Sequence, residues 1–438
     1  MEVALINSRQ DKAGVNIRYH IEQLLDAGRD WTEPGQRRTY TFYDVDGRLI
    51  HADGIDQQID AGLLIFLSRH YSANPVPVLT VHVTGNFGKA ELGGTDRTLA
   101  LAAPAMMQAT LRSLAKHCPN GYRVSYEVTH HGPTGLCIPS FFVEIGSTEK
   151  EWTDPVAGRA VAESVLSAVP ANPIPLIGFG GTHYAARETE IALTSRGAFG
   201  HIAHTREIAA LDETMIQDMM VKGGAVAAYV DRKALSREDL NHLTGLLGTG
   251  RIPRLSESEI TSMGHLSWDS YLAASRMARQ VAAGTRCYIH NLRGEGTLCV
   301  ARIDPVLLAE TVKSDEPGLI ADLGGLPVIH LSTQDNRLLP EFITYENHLP
   351  ELIHDLNTLC VKIIRNKEIT ATENDHLIIT RVRFDPGKAR ELGIPPGPYY
   401  KHLSEGQAIK INGRVVLPDK VSSCSEIRIH IPGLEKFS

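Results

Sequence analysis

Residues 127–147 read EVTHHGPTGLCIPSFFVEIGS, and this stretch joins two kinds of strand. The alternating run Tyr122-Arg123-Val124-Ser125-Tyr126-Glu127-Val128 predicts a half-buried strand, and it ends in two adjacent imidazoles, His130 and His131, on a turn begun by Gly132-Pro133. Phe141-Phe142-Val143-Glu144-Ile145 then reads as a buried strand with one carboxylate inside an apolar run. Histidines at a strand end, with a carboxylate on a neighbouring strand, supply the groups needed for proton transfer or metal binding. The same letters also fit histidines that merely cap a turn and a Glu144 that faces water on an edge strand.

Working outward, three further apolar strands end in polar residues. Leu63 to Leu67 is a continuous apolar run that stops at Ser68-Arg69-His70, and Val78 to Val83, which carries His82, runs into Thr84-Gly85-Asn86. Ile174 to Ile177 empties into Gly178-Phe179-Gly180-Gly181-Thr182-His183. Helical periodicity lies between these strands. Ile17, Ile21, Leu24 and Leu25 share one face before a stop at Gly28. Thr98 to His117 reads as a helix that Pro104 either kinks or starts, and another helix is expected to bury Val156, Ala160, Val161 and Val165.

Strands alternating with helices predict an α/β domain: a mixed, mostly parallel sheet with helices on both faces, whose ligands sit outside the carboxyl ends of the strands. Arg37 to Ile50 reads as a hairpin turned at Asp46-Gly47. His201 and His204, three residues apart, precede a helix with Met215, Ile216, Met219 and Met220 inward. Ala225 to Val230 is expected to be the last strand of the domain, followed by a helix capped at Ser236. The glycine loop has neither GxGxxG spacing nor the Lys-Ser/Thr of a phosphate loop, although its amides can approach a phosphate or an oxyanion.

With 438 residues the chain exceeds one compact core, and two domains are expected, residues 1–264 and 265–438. The second reads as a C-terminal α+β extension. It carries helices at 270–283 and 349–359, strands at 298–303 and Leu377–Val382, a strand Val361-Lys362-Ile363-Ile364, and a hairpin turned at Asn412-Gly413. The composition, 42% hydrophobic and 22% charged, is that of a soluble globular protein, and no stretch approaches the roughly 18 apolar residues of a membrane span. An N-terminus that reads as a strand, without a basic flank or cleavage site, points to the cytosol. Six scattered cysteines without a CxxC pair indicate neither a disulfide framework nor a cysteine zinc site. A net charge of −7 argues against broad wrapping of nucleic acid, though not against contact with one end of an RNA through a few cations such as Arg37, Arg38, Arg69 and Arg187.

Taken together, seven blocks in order carry a family resemblance. They are Asp11-Lys12-Ala13 with Asn16-Ile17, Ser68-Arg69-His70, Val81-His82 with Thr84-Gly85-Asn86, Glu127 with His130-His131-Gly132-Pro133, Phe142 to Ser147 with Trp152, Gly180-Gly181 with His183-Tyr184, and Gly200-His201-Ile202. Over about residues 1 to 260 the chain resembles the archaeal and plant type of D-aminoacyl-tRNA deacylase. The resemblance implies a zinc-dependent hydrolase with a fold similar to peptidyl-tRNA hydrolases and phosphorylases. Such an enzyme cleaves the ester between a D-amino acid and the terminal adenosine of tRNA, as chiral proofreading. It implies His130, His131 and Glu144 as catalytic residues, with the Gly180-Gly181 backbone or a metal at the oxyanion. Arg69, Gly180, Gly181, Asn86 and Lys12 are implied on the substrate, and His70, His82, His183 and His201 on the metal.

His204 lies outside the family pattern, and Ala185-Ala186 stands where a proline-containing run is expected. The partner implied is the acceptor end of a D-aminoacylated tRNA, handled by a monomer with no membrane contact. A peptidyl-tRNA hydrolase or phosphorylase-like enzyme on the same fold, and a noncatalytic tRNA-binding protein, remain open. Only some members carry the extension. Its run Lys388 to Pro398 looks like a segment of the tRNA 3′-end processing nucleases, and equally like a helix capped by Gly393 and stopped by Pro395.

Overall fold

Val3 to Ile6 are fully buried in β1 (Glu2–Ser8), and Asp11 then starts α1 (Lys12–Asp26) by accepting from the amides of Ala13 and Gly14, both at 3.0 Å. The computed structural model describes residues 1–437 except 29–30, 32–36, 74, 293–295 and 412. It divides into two compact units, Met1–Gly264 and His265–Ser438.

In the first unit β1 is joined by β2 (Thr39–Val45), β3 (Leu63–Arg69), β4 (Val78–His82), β5 (Arg123–Tyr126) and β6 (Ser140–Gly146). The order is β2-β1-β3-β6-β4-β5, and every pair is parallel except β4–β6. One face of this sheet, with Ala4, Ile6, Leu64, Phe66 and Phe142, is sealed by Leu49, Ile59 and Leu136 from short 3-10 turns and loops. Against the other pack α1, α2 (Pro104–His117) and α4 (Pro155–Ser167), the last preceded by the single turn α3 (Glu149–Trp152). Pro104 starts α2 at its first turn, where its missing N–H costs nothing.

A second sheet, β10-β9-β7-β8, is parallel throughout and consists of β7 (Ile174–Phe179), β8 (Gly197–Ala203), β9 (Ala227–Val230) and β10 (Arg254–Leu255). On one side Ile177, Phe179 and Ala228 pack with Met215, Ile216 and Met219 of α6 (Glu213–Lys222) and Leu243 and Leu247 of α7 (Arg237–Thr249). Next to its other strands lie α2 and α5 (Ala186–Thr194). The unit is therefore the mixed, mostly parallel α/β architecture that its apolar runs predict.

Register decides what these strands present. Pairing of β3 with β6 sets Ser68 beside Glu144, and the antiparallel β4 sets Thr80 beside Glu144 and His82 beside Phe142. A slip of one residue would turn Glu144 to the other face of the sheet.

Several local expectations are corrected. Arg37 to Ile50 is not a hairpin: β2 pairs in parallel with β1, and the chain leaves Asp46-Gly47 for a 3-10 turn that buries Leu49. β10 follows β9, so Ala225–Val230 is not the last strand. Val156 is exposed at the start of α4, while Ala160, Val161 and Val165 are buried. His201 lies in a strand and His204 caps a 3-10 turn, so the three-residue spacing that would put them on one face of a helix has no such meaning here.

The second unit holds a four-stranded antiparallel sheet (Arg286–Ile289, Ile329–Ser332, Leu338–Tyr345, Leu298–Arg302) and a three-stranded one (Ile369–Glu373, His376–Phe384, Ser422–His430). Val361 to Ile364 is not a strand but continues the helix Leu349–Lys367, because Leu352, Leu356, Cys360, Val361 and Ile364 recur at helical spacing on its buried side. Asp385 caps a short helix, Pro386–Glu391, and Gly393 follows it at φ +73. Ile409–Ile411 pairs with Arg414–Val416 as the hairpin reading requires, while Asn412 at its turn lies outside the described residues. Among the described residues no helix is long and apolar enough to cross a membrane.

Two expected outcomes follow from this packing. A Cβ on Gly14 would sit 2.4 Å from the carbonyl oxygen of Leu67, so Gly14→Ala forces α1 off the end of β3. It is expected to cost about 1–3 kcal/mol in urea unfolding, although alanine is the better helix former. The second concerns Glu188 in α5, which is fully buried with neither carboxylate oxygen hydrogen-bonded, and burial pushes its pKa up from 4.5 to about 8. The folded chain keeps this proton while the unfolded chain loses it. Its contribution is therefore complete below about pH 4.5 and lost as pH rises through about 8. Glu188→Gln is expected to leave the melting temperature unchanged near pH 4.5 and to raise it at pH 8, read in a pH series of thermal melts.

Candidate active site

The polar residues of the first sheet converge through register, across strands that run in opposite directions: β4 and β5 run against β3 and β6. His70 follows β3, His82 closes β4, Glu144 lies in β6, and Glu127 follows β5. The chain past β5 is then tied to the second sheet, with Val128 N–H donating to the His183 carbonyl (3.0 Å) and Thr129 N–H to that of Ile202 (2.9 Å). This stitch carries His183, from the loop after β7, onto Glu127. His131 sits in the left-handed region (φ +44), followed by Gly132, where a Cβ would lie 2.4 Å from the Gly94 nitrogen. That tight turn aims both adjacent imidazoles inward.

Five imidazoles, His70, His82, His130, His131 and His183, form one cluster with Glu127, Glu144 and the Tyr184 hydroxyl. Glu127, fully buried, has His183 Nε2 at 2.8 Å, His70 Nδ1 at 3.1 Å and His130 Nε2 at 3.5 Å. Glu144 has His70 Nδ1 and His82 Nε2, each at 3.7 Å. The Tyr184 hydroxyl lies 3.0 Å from His70 Nε2, and the ring centroids of His82 and His130 are 4.4 Å apart.

Electrostatics divides the imidazoles. Burial alone would lower His70, but the hydrogen-bonding and charge of Glu127 and Glu144 outweigh it and raise its pKa to about 11, which favours a protonated His70 in the ion-free cluster. Burial, reinforced by neighbouring imidazoles, pushes His130 well below the ordinary range and His131 down to about 4. Burial would raise Glu127, but His183 and His70 beside it hold it well below the usual carboxylate range.

Hydrogen bonds fix the tautomers. The Nδ1 of His82, His130 and His131 lies 3.2, 2.8 and 2.6 Å from the carbonyls of Val83, Val128 and Gly132. A carbonyl only accepts, so in each ring Nδ1 carries a hydrogen; in His130 and His131, which burial keeps neutral, Nε2 therefore holds its lone pair, whereas the charge of Glu144 beside His82 Nε2 outweighs burial and raises that ring's pKa. His82 Nε2 and both oxygens of Glu127 are buried without a hydrogen bond, because the neighbouring nitrogens, though close, lie off the required line. Orphaned lone pairs from several residues pointing into one space are what a cation satisfies. His82, His130 and His131 place ligand atoms within 4.8 Å of one another, as do His70, Glu127 and His183, and His82, Glu127 and Glu144. These groups can hold a metal ion.

Two cavities open on the cluster. One, of about 670 Å³, is walled by Arg48, Arg69, Tyr71 and Trp152, and the other, of about 480 Å³, by Asn86, Gly88, Lys89, His204 and Arg206. Both share His130, His131, His183 and Leu92.

Of the residues singled out in the sequence, His70, His82, His130, His131, Glu144 and His183 meet here. His201 does not: its Nε2 lies 3.0 Å from the Ala100 carbonyl and its Nδ1 3.2 Å from the Thr129 hydroxyl, so both nitrogens are engaged in tying β8 to its neighbours. Gly180 and Gly181 line neither cavity. The Gly180 amide donates to Ala203, and the positive φ of both glycines (+107 and +85) turns the chain toward His183. Lys12 pairs with Glu149 outside the cavity walls, whereas Asn86 lines the smaller cavity but gives its amide hydrogens to the carbonyls of Gly93 and Thr95. Arg69 lines the larger cavity, 5.1 Å above the Trp152 ring. Arg38 donates to the carbonyls of Leu166 and Ala168, and the part-exposed Arg187 pairs with Glu190 and Glu257.

Sequence reasoning underrated Glu127 and Tyr184. The available signal was a carboxylate closing an alternating strand three residues before His130.

A cluster of five imidazoles and two carboxylates, gathered across the strands of a mixed, mostly parallel sheet, defines an α/β protein equipped for metal binding and proton transfer. A family model described as D-aminoacyl-tRNA deacylase matches residues 57–253. The chain is 62% identical over 439 residues to the D-aminoacyl-tRNA deacylase of Methanoregula boonei and 54% identical over 437 residues to that of Methanoculleus marisnigri, covering 100% of both chains in each case. A crystal structure of a conserved protein of unknown function is similar at 30% identity and a TM-score of 0.54, over 59% of this chain and 96% of that one. The chain belongs to the D-aminoacyl-tRNA deacylase family.

The partition of imidazoles has a direct check. Substituting His82, His130 or His131 by alanine is expected to lower divalent-metal affinity at least about tenfold, read by metal analysis of untagged protein and zinc titration. His201→Ala is expected to leave metal content intact while costing about 1–3 kcal/mol of stability.

Proposed function

We propose that this chain hydrolyses the ester joining a D-amino acid to the 3′-terminal adenosine of tRNA, releasing the free amino acid and reusable tRNA in the cytoplasm. Membership of the family over the full length of the chain carries this reading, and the buried cluster at the foot of two cavities supplies the chemistry. An aminoacyl ester is already reactive, so hydrolysis needs a water whose proton is removed and a donor for the oxyanion.

His183 and Glu127 take the proton-handling role. His183 lines both cavities and is part exposed, and Glu127, 2.8 Å from its Nε2, orients the ring and stabilises it once protonated. His183 accepts a proton from water as the water oxygen adds to the ester carbonyl. When the bond from carbon to the ribose oxygen breaks, the leaving oxygen takes that proton back. The protonated His70, held by Glu127 and Glu144 and braced by Tyr184, places a positive charge beside the reacting centre.

The residues fit zinc. His82, His130 and His131 offer three imidazole Nε2 atoms within 4.8 Å of one another, a donor set that would hold zinc once His82 gives up its proton. When bound, zinc supplies a Lewis acid for the ester carbonyl and lowers the pKa of water. This division assigns His130 and His131 to the metal and gives the proton to His183, where the sequence reading had the reverse.

Purified protein is expected to release D-tyrosine from D-tyrosyl-tRNA much faster than L-tyrosine from the L form, and Glu127→Gln to lower kcat by about 10²–10⁴ with little change in KM. Equal rates on the two enantiomers would leave a general esterase, and preferential cleavage of N-acetyl-aminoacyl-tRNA a peptidyl-tRNA hydrolase. A noncatalytic binder would show tRNA affinity without turnover. Should metal-free protein keep full activity, zinc fails and the deacylase reading stands.

A further inference from the structure

The two cavities have different walls, and a substrate cleaved between them has two limbs. We propose that the cavity bounded by Arg48, Arg69, Tyr71 and Trp152 holds the terminal nucleotide of the tRNA, and that the one bounded by Gly88, Lys89, His204 and Arg206 holds the aminoacyl group. This rests on the deacylase reading and goes beyond it by dividing the site.

The first argument is position. The cavities share only His130, His131, His183 and Leu92. A scissile ester attacked at these histidines therefore has one limb on each side of them.

The second argument is charge. Along the larger cavity the exposed charges are Arg48 and Arg69, and neither has a carboxylate partner at ion-pair distance among the described residues. Its acids are buried and engaged: Asp11 accepts from the amides of Ala13, Gly14 and Arg69, and Glu144 faces His70 and His82. The wall left to a ligand is cationic, which suits a phosphodiester. Around the smaller cavity Lys89 and Arg206 are offset by Glu91 and Glu207, with Arg206 Nε 3.0 Å from Glu207. That wall has no net charge to offer a phosphate.

The third is the aromatic surface. Tyr71 stands at the edge of the larger cavity with 73% of its surface exposed, an unusual position for a tyrosine that supports no core. Trp152 lines the same cavity with Arg69 over its ring. The exposed Tyr71 ring, beside the guanidinium of Arg48 and the Arg69–Trp152 pair, offers a stacking face for a base. The smaller cavity offers Leu92, Val128 and Phe87 with Gly85 and Gly88, an arrangement that leaves room for side chains of varied size.

The test uses the full chain with three variants and two independent readouts. Arg48→Ala and Tyr71→Ala alter the proposed nucleotide side. Gly88→Trp alters the other; a Cβ there meets nothing within 4 Å, so the backbone accommodates it. Adenosine 5′-monophosphate, which carries the base, ribose and phosphate of the terminal nucleotide, is the binding probe in equilibrium dialysis. Arg48→Ala and Tyr71→Ala are expected to weaken its binding about tenfold or more, and Gly88→Trp to leave it unchanged. In turnover, Gly88→Trp is expected to depress cleavage of D-tyrosyl-tRNA relative to D-alanyl-tRNA about tenfold or more, while the other two raise KM for both alike. The reverse pattern overturns the assignment, as does a nucleotide affinity that none of the three changes. Loss of all turnover in the unmodified chain defeats the deacylase reading, and the nucleotide arm then still decides which cavity takes the nucleotide.

Discussion

The organisation of the first unit depends on how two buried carboxylates are compensated. Glu127 and Glu144 are 1% and 3% exposed, and an isolated anion at such depth costs far more than a domain of this size can spare. Each is held ionised by imidazoles from other segments, with His70 shared between them as a standing cation. His70, Glu127, Glu144 and His183 come from four places in the chain, so their compensation requires the ends of β3, β5, β6 and β7 to meet. The antiparallel insertion of β4 between β5 and β6 belongs to the same constraint, since it brings His82 alongside Glu144.

Much of this was legible before any coordinates. A continuous apolar run bounded by polar residues, such as Leu63–Leu67, fits a strand covered on both faces, and polar groups at its carboxyl end mark where a ligand goes. What misled were signals whose meaning depends on partners far away. Asp46-Gly47 is a strong hairpin signal in isolation, yet β2 found its partner in β1 by parallel pairing, which a local turn does not encode. Val361 to Ile364 has β-branched strand composition, but the surrounding helical spacing prevailed once the second unit's core formed around it. Glu127 was undervalued for the same reason: alternation along β5 says that it is inward or outward, not that three histidines from elsewhere surround it.

The cluster also shows why stability and chemistry pull apart here. Each residue that contributes an orphaned lone pair, His82 and Glu127 above all, lowers the stability of the ion-free fold relative to a core filled with hydrogen-bonded or apolar groups. The rest of the unit offsets that cost with two dry layers: helices against one face of each sheet, and a second apolar cluster on the opposite face. A fold that retained such unsatisfied groups without using them would be expected to lose them, since replacement by apolar residues of similar volume is neutral or stabilising.

His82 and His201 make the final distinction sharp. Both are fully buried histidines on strands, and neither burial nor sequence spacing separates them. Their second nitrogen does. His201 spends Nδ1 on a hydroxyl and Nε2 on a carbonyl, so it is satisfied and has nothing left to give. His82 spends Nδ1 on the Val83 carbonyl and leaves Nε2 bare beside Glu144, as His130 and His131 likewise surrender only Nδ1 to the backbone. Three carbonyls thereby fix the orientation of three rings in advance, and the donor set needs no ring turned to accept a cation. The preorganisation is written in main-chain positions, Val83, Val128 and Gly132, whose side chains carry no trace of it. It follows that a substitution shifting the backbone of the His131 turn, such as one at Gly132, acts on the donor set as directly as replacing a histidine.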